Sequence, residues 1–129
     1  MLNTIDIEKS YPVDGDVKSA LHLWAQYRNA NGFGPKAPLF TPPSWNGKLS
    51  LSEVPTYGLT LSAADNTEGV DLCLWSTPSC RAACVLTSSY RGKLARVVAA
   101  RDLKTRFLFD HTAAFILILA EEIRQAIRK

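Results

Sequence analysis

The sequence predicts an α+β fold, in which a small β-sheet or strand region, a cysteine-bearing loop and a short helix pack on three to four helices. Three observations carry this prediction. Apolar residues recur with helical spacing in residues 17–31 and again in the last third of the chain. Residues 56–62 alternate as in a half-buried strand. The length of 129 residues suits one core, so residues 1–129 are expected to form a single domain.

The composition is that of an ordinary globular protein. A net charge of +3 is compatible with nucleic acid or an acidic partner but indicates neither. The first 16 residues lack the apolar stretch of a secretory signal, and the most apolar run, Ala113–Ala120, is too short to cross a bilayer. We therefore expect a cytoplasmic protein with reduced thiols and no membrane association.

The first helix is expected to begin after Asp14 or Asp16, either of which can serve as its N-cap. Its apolar stripe ends at the stop signal Asn31-Gly32 and leaves His22 on the polar surface. Residues 33–55 hold five of the seven prolines, so they cannot form regular structure throughout. Because they also contain Leu39, Phe40 and Trp45, they are expected to form an ordered segment that packs through its aromatic rings.

The predicted strand is Thr56–Ser62, with Leu49–Val54 as its candidate partner. Two helices are expected after the cysteines, one from Lys93 to about Phe109 and one that Asp110 caps. Ala113–Ala120 is apolar on all sides. It should be the most buried helical segment or the contact with a second chain, which makes a homodimer through the C-terminal helix a candidate assembly.

All three cysteines, Cys73, Cys80 and Cys84, fall within twelve residues with the spacing C-x6-C-x3-C. Thr77 and Pro78 are strong helix-start signals, and a helix from Pro78 to about Leu86 would place Cys80 and Cys84 on one face. That spacing is wide for an unstrained disulfide and for two sulfurs on one zinc, which lie at most about 4.6 Å apart.

The spacing therefore favours an iron–sulfur cluster, suspected to be 4Fe-4S, which three cysteines would leave with one open iron. Zinc stays open as the alternative, with His111 or His22 as the candidate fourth ligand. Ordinary buried thiols and a disulfide also stay open.

Further candidates lie on the helix after the cysteines. Arg101 and Thr105 fall in the middle of its apolar face, where an unpaired cation is costly. Both are candidates for supporting the cysteine site or an anionic ligand there. For Arg101 the alternative, that it caps the short helix's carbonyls or pairs with an Asp such as Asp71, is slightly favoured. Another side of the helix is basic and is the candidate contact for nucleic acid or a partner, although a solvated surface is favoured: Lys93, Arg96 and Lys104.

The run GLTLSAAD…GVDLCLWSTPSCRAACVLTSSYRGK, followed by VAARDLKTRFLFDHTAAFILILAEEI, resembles the phage-associated gene-product-88 family. The resemblance covers roughly residues 46–123. It is carried by Cys73, Ser76-Thr77-Pro78, Cys80, Cys84, Arg91-Gly92, Arg101, Lys104-Thr105-Arg106 and Phe115.

The resemblance implies a phage or prophage protein in the host cytoplasm. The family's cysteine segment is similar to the cluster-binding start of radical-SAM-like proteins, which implies that Cys73, Cys80 and Cys84 are cluster ligands and that Arg101 supports the site. It also implies a short form whose activity is reduced or depends on a partner, so this chain is not expected to be an enzyme on its own. The alternative is a small phage-encoded binding or inhibitor protein that acts on a host or defence protein, with structural cysteines or zinc.

Overall fold

The computed structural model describes residues 16–34, 37–45, 47–64, 66, 69–88 and 94–128. In these ranges the regular elements are helical. They are α1 (Val17–Ala30), a 3₁₀ turn (Pro43–Trp45), α2 (Gly47–Ser50), α3 (Pro78–Ala82), α4 (Val85–Ser88), α5 (Ala95–Asp110) and α6 (Thr112–Arg128). The chain divides into two compact units: a central unit, Leu61–Asp110, and a flanking unit whose described residues fall in 16–60 and 111–128. The single domain remains a prediction.

The predicted α+β class is wrong, because the described residues contain no strand. Their one isolated backbone bridge joins Thr41 and Gly58, whose amide and carbonyl groups pair at 2.6 and 3.0 Å. The predicted strand Thr56–Ser62 has no partner strand, since its candidate partner begins inside α2 and continues as a turn. The Ser62 amide instead donates to a side chain, at 2.9 Å from Thr105 Oγ1. A strand needs a neighbouring strand for its backbone groups, and in the described residues this segment has only the single bridge at Gly58.

Helix α1 confirms the first predicted helix and its start. The Asp16 carboxylate accepts a hydrogen bond from the Ser19 amide at 2.7 Å, which satisfies a backbone donor that the first turn leaves unpaired. The helix ends at Asn31, and Gly32 follows with a φ of 77°, a conformation that glycine adopts without strain. His22 is exposed, as predicted.

The flanking unit is built on the packing of α1 against α6. Trp24 is 2% exposed and Ile118 is 1% exposed, so both helices contribute large apolar side chains to this core. The indole Nε1 of Trp24 donates to the Ala37 carbonyl at 2.9 Å, which ties the proline-rich segment to α1. Leu39 of that segment is fully buried, but Trp45, which was expected to pack, keeps 61% of its surface exposed.

A carboxylate holds the proline-rich segment on α6. Glu122 Oε1 accepts from the Leu39 amide at 2.8 Å, and Oε2 accepts from the Phe40 amide at 3.0 Å. The prolines on either side remove other backbone donors from this stretch, so a side chain satisfies two of those that remain. An ordered wrap thus exists without regular secondary structure.

Helix α6 buries one face only. Ala114, Phe115 and Ile118 are buried, as the apolar run predicted. On the same helix Ile116 is 56% exposed and Ile127 is 78% exposed, so other apolar side chains of α6 face solvent. A second chain on this face stays a prediction. No helix in the described ranges is both long enough and apolar enough to span a membrane.

The core of the central unit lies along α5. Leu103 and Phe107 are buried on it, and so are the polar residues Asp102 and Thr105. Both polar side chains bind Ser62, whose hydroxyl donates to Asp102 Oδ1 at 2.6 Å. This network fixes residues 61–64 against α5, and these residues lead directly to the cysteine segment.

Candidate thiol pocket

The three cysteines line one pocket in the central unit, called the thiol pocket below. Its volume is about 80 Å³. Cys73 and Cys80 are exposed and Cys84 is half-buried. The pocket is lined by Ala63, Ala64, Cys73, Ser76, Cys80, Arg81 and Cys84. The structure thus brings together the three side chains that the sequence singled out.

The short helix that carries Cys80 starts as predicted but ends early. Thr77 is its N-cap and Pro78 occupies its first turn, as those residue types favour. The helix stops at Ala82. The Cys84 amide then donates to the Arg81 carbonyl, three residues earlier, at 3.4 Å, which makes a tighter turn than that of an α-helix. The predicted helix to Leu86, with Cys80 and Cys84 on one face, is therefore wrong. Cys84 lies in the break between α3 and α4, and its sulfur reaches the pocket from that bend.

Thr77 also acts on the Cys80 thiol. Its hydroxyl donates to Cys80 Sγ at 3.1 Å, and the Cys80 amide donates back to Thr77 Oγ1 at 3.2 Å. The hydrogen bond from the Thr77 side chain lowers the pKa of Cys80 below its ordinary value. More thiolate is therefore present near neutral pH, and thiolate is the form that acts as nucleophile or metal ligand.

Arg81 connects the Cys73 loop to helix α3. Its guanidinium donates to Asp71 Oδ2 at 3.0 Å and to Ser76 Oγ at 3.0 Å. Asp71 Oδ1 accepts from the Cys73 amide at 2.8 Å, and the Ser76 amide donates to the Cys73 carbonyl at 2.9 Å. This set, called the Arg81 clamp below, holds the backbone of Cys73 from both sides.

Thr105 reaches the pocket through the chain rather than by lining it. It is fully buried; its hydroxyl accepts from the Ser62 amide and donates to the Arg101 carbonyl at 3.0 Å. Ser62 precedes Ala63 and Ala64, which form one wall of the pocket. Thr105 therefore positions a wall of the pocket, and its role in supporting a ligand stays a prediction.

Arg101 contacts the element that follows the cysteines. Its Nη1 donates to the Leu86 carbonyl of α4 at 2.9 Å, the carbonyl-capping contact given above as an alternative.

Among the basic candidates, Arg96 is exposed and Lys104 is half-buried on α5, whereas Lys93 lies outside the described residues. His111, the candidate fourth ligand, packs edge-on against Tyr27 in the flanking unit with 5.7 Å between ring centroids.

A metal ion or cluster needs donor atoms that converge on one space. Within the described ranges, no three His, Cys, Asp or Glu side chains are arranged to hold one metal ion. The three thiols are therefore not a preformed single-zinc site. A cluster would place each cysteine on a different iron around a shared space, and cluster binding stays a prediction.

Sequence reasoning missed Arg81 and Asp102. Asp71 two residues before Cys73 is a local signal, because aspartate side chains commonly accept from the amide two positions on. No local sequence pattern predicts that Arg81 binds Asp71, ten positions earlier, or that Asp102 binds Ser62, forty positions earlier.

The described fold and pocket define a helical protein with a solvent-accessible cluster of three thiols. A profile of the family described as Gene product 88 matches residues 25–129, which include the whole thiol pocket. The chain belongs to this phage gene-product-88 family, as the cysteine and arginine pattern predicted. No curated protein and no solved structure gave a significant match.

Proposed function

We propose that this phage protein binds an iron–sulfur cluster through Cys73, Cys80 and Cys84. The observation that carries the proposal is that all three thiols of the chain line one accessible pocket. No carboxylate or imidazole lines that pocket in the described residues, which supports cysteine sulfur, the donor that holds iron–sulfur clusters, as the ligand.

Neighbouring residues act on two of the cysteines, Cys80 and Cys73. Thr77 stabilises the thiolate of Cys80 through its hydroxyl, and the Arg81 clamp fixes the backbone of Cys73. Cys84 lies in the bend between two short helices and lines the same pocket. A four-iron cluster with three cysteine ligands supplies redox chemistry and one iron open to a further ligand.

The proposal concerns binding and assigns no reaction to this chain alone. Cys73 and Cys80 are exposed, so the pocket is open on one side. A partner or a second copy would cover that side if chemistry takes place there. We therefore treat any catalytic activity as dependent on such a partner.

Purification of the full chain without oxygen tests the proposal. We expect brown protein with roughly four irons and four sulfides per chain and absorbance near about 400 nm. Each of Cys73→Ser, Cys80→Ser and Cys84→Ser should lose most of the iron. Ser79→Ala, an exposed neighbour on the same helix, is the matched control and should keep it.

Two results would refute cluster binding. One is colourless, iron-free protein after reconstitution with iron and sulfide under anaerobic conditions. The other is about one zinc per chain with no sulfide, which would establish the zinc alternative instead.

A second candidate, a protein that binds a host or defence protein, is favoured by a separate observation. Leu74 and Trp75 follow Cys73 and are 78% and 95% exposed, and Val85 after Cys84 is 73% exposed. Large apolar side chains that project beside a pocket are typical of protein contacts, where tryptophan often anchors the interface.

Capture from host lysate on the immobilised full chain separates the two candidates. Binding of one host protein that disappears in Trp75→Ala but survives in Trp45→Ala and in folded Cys80→Ser supports the second candidate. Binding that is insensitive to Trp75→Ala contradicts it.

A further inference from the structure

We infer that Ala63 and Ala64 form an apolar cover for the ligand of the thiol pocket, and that Asn66 is the positioning residue that holds this cover in place. The inference rests on the proposed function, because it concerns the surface that a bound cluster would meet beside its cysteines. Both alanines line the pocket, and both are half-buried. We call these two residues the alanine wall.

The side chains of the alanine wall are methyl groups. They bring no ligand atom to the pocket and leave room for a compact ligand beside the three sulfur atoms. A larger side chain at either position would occupy part of the volume of about 80 Å³. An apolar surface beside a cluster matters because solvent exposure is one of the properties that set its redox behaviour. Such a surface covers a ligand only if its backbone is fixed.

Asn66 fixes the alanine wall by binding backbone carbonyls on both sides of itself. Its Nδ2 donates to the Ala63 carbonyl at 2.6 Å and to the Val70 carbonyl at 2.7 Å. A side-chain amide carries two N–H donors, so these two short bonds use both. Asn66 therefore joins the alanine wall to the segment that enters the Cys73 loop.

Both ends of this link are anchored. On the side of the alanine wall, the Ser62 amide donates to the hydroxyl of the fully buried Thr105 at 2.9 Å. On the other side, Val70 leads directly into the Arg81 clamp, which holds the Cys73 backbone. Asn66 thus connects the buried contacts of α5 to the clamp. Loss of its two donors should let the alanine wall move relative to the Cys73 loop.

The iron-free full chain gives the first test, which does not depend on cluster binding. Asn66→Asp keeps the size of the side chain but replaces the donating nitrogen with an oxygen, which cannot bind the two carbonyls. The half-buried Cys84 should then react with N-ethylmaleimide at least about threefold faster, because thiol reactivity follows exposure. Cys80 is already exposed, so its rate should stay within about twofold of the parent rate. Peptide mass spectrometry measures both rates.

Asn31→Asp is the matched control. Asn31 also donates its side-chain amide to a backbone carbonyl, that of Tyr27 at 2.8 Å, but it lies in the flanking unit. The control should keep the parent rate at Cys84. Asn66→Ala removes the donors without adding a charge and should reproduce the effect of Asn66→Asp, with circular dichroism to confirm that each variant is folded. An unchanged Cys84 rate in a folded Asn66 variant, or an equal rise at Cys84 and Cys80, would overturn the inference.

Protein reconstituted with iron and sulfide gives the second test. In air, folded Asn66→Ala should release iron at least about threefold faster than the parent chain and Asn31→Ala, because an uncovered cluster is more exposed to solvent. Equal release would contradict a covering role for the alanine wall. A parent chain that takes up no iron would refute the proposed cluster, whereas the Cys84 rates would still decide whether Asn66 holds the wall.

Discussion

Arg81 and Asp71 form an ion pair at 3.0 Å that joins the helix of Cys80 to the loop of Cys73. The two side chains are 38% and 35% exposed, so the pair contributes little to the free energy of unfolding. Its importance lies in position, since Asp71 also accepts from the Cys73 amide at 2.8 Å. The Arg81 clamp orders a thiol without being a main source of stability.

Arg81→Gln should therefore separate stability from thiol order. We expect the unfolding free energy to fall by less than about 1 kcal/mol, as for exposed ion pairs. Hydrogen exchange at the Cys73 amide should accelerate, and the iron content of anaerobic protein should drop. Arg124→Gln, which breaks the exposed pair with Glu121 at 2.9 Å, is the matched control and should change neither readout. Undisturbed Cys73 exchange in Arg81→Gln would refute the clamp.

Thr77→Val should raise the pKa of Cys80, because it removes the hydroxyl that lowers it. A lowered thiol pKa favours thiolate at a given pH, so the variant should carry less thiolate and react more slowly with iodoacetamide near neutral pH. The measurement is the pH profile of Cys80 alkylation by peptide mass spectrometry, which should move to higher pH.

Thr77→Ser keeps the hydroxyl and the N-cap, so it serves as the control for that experiment and should retain the parent profile. Coincident profiles for Thr77→Val and the parent protein would show that the hydroxyl does not tune the thiol.

Thr105→Val should destabilise the central unit. The substitution keeps the shape but leaves the Ser62 amide without its acceptor in a buried place, at a cost of about 1–3 kcal/mol. Urea unfolding measures the loss. Thr60→Val, at a half-buried threonine, should change the free energy of unfolding by much less. Equal losses of unfolding free energy at both positions would mean that the hydrogen bonds around Ser62 do not stabilise the central unit in particular.

Glu122→Gln should loosen the proline-rich segment of the flanking unit. Glutamine has one acceptor oxygen, so one of the amides of Leu39 and Phe40 loses its partner and both lose a charged one, at a cost of about 1.5–3 kcal/mol. Hydrogen exchange at these two amides should rise well before global unfolding. The exposed Glu53→Gln is the control; protected amides in Glu122→Gln would contradict the prediction.

Local signals in the sequence located the starts of two helices. Asp16 and Thr77 have short side chains that accept from amides three residues on, and such caps depend only on neighbouring residues. The clustering of three thiols was also visible, because proximity in sequence left little freedom to separate them. These parts of the fold and site follow from short-range chemistry.

The errors came from long-range contacts. The alternation of residues at Thr56–Ser62 is typical of a strand. In the structure the Ser62 amide donates to the Thr105 side chain on α5 instead of to a neighbouring strand. An alternating sequence pattern cannot indicate such a long-range partner. The break after Ala82 depends on how Cys84 and Val85 turn into α4. Arg81 can reach Asp71 only after the loop between them has folded. No pattern in the sequence therefore indicated that Arg81 orders Cys73.

The bonds from Glu122 to Leu39 and Phe40 join residues 83 and 82 positions apart, across the whole stretch that forms the central unit. During synthesis, residues 61–110 therefore leave the ribosome before the flanking unit can close, because α6 emerges last of the described elements. Residues 61–110 can form their local contacts, including the pairs around the thiols, while the flanking half still lacks its C-terminal helix. The order of translation thus lets the described contacts around the thiols form before the flanking unit closes.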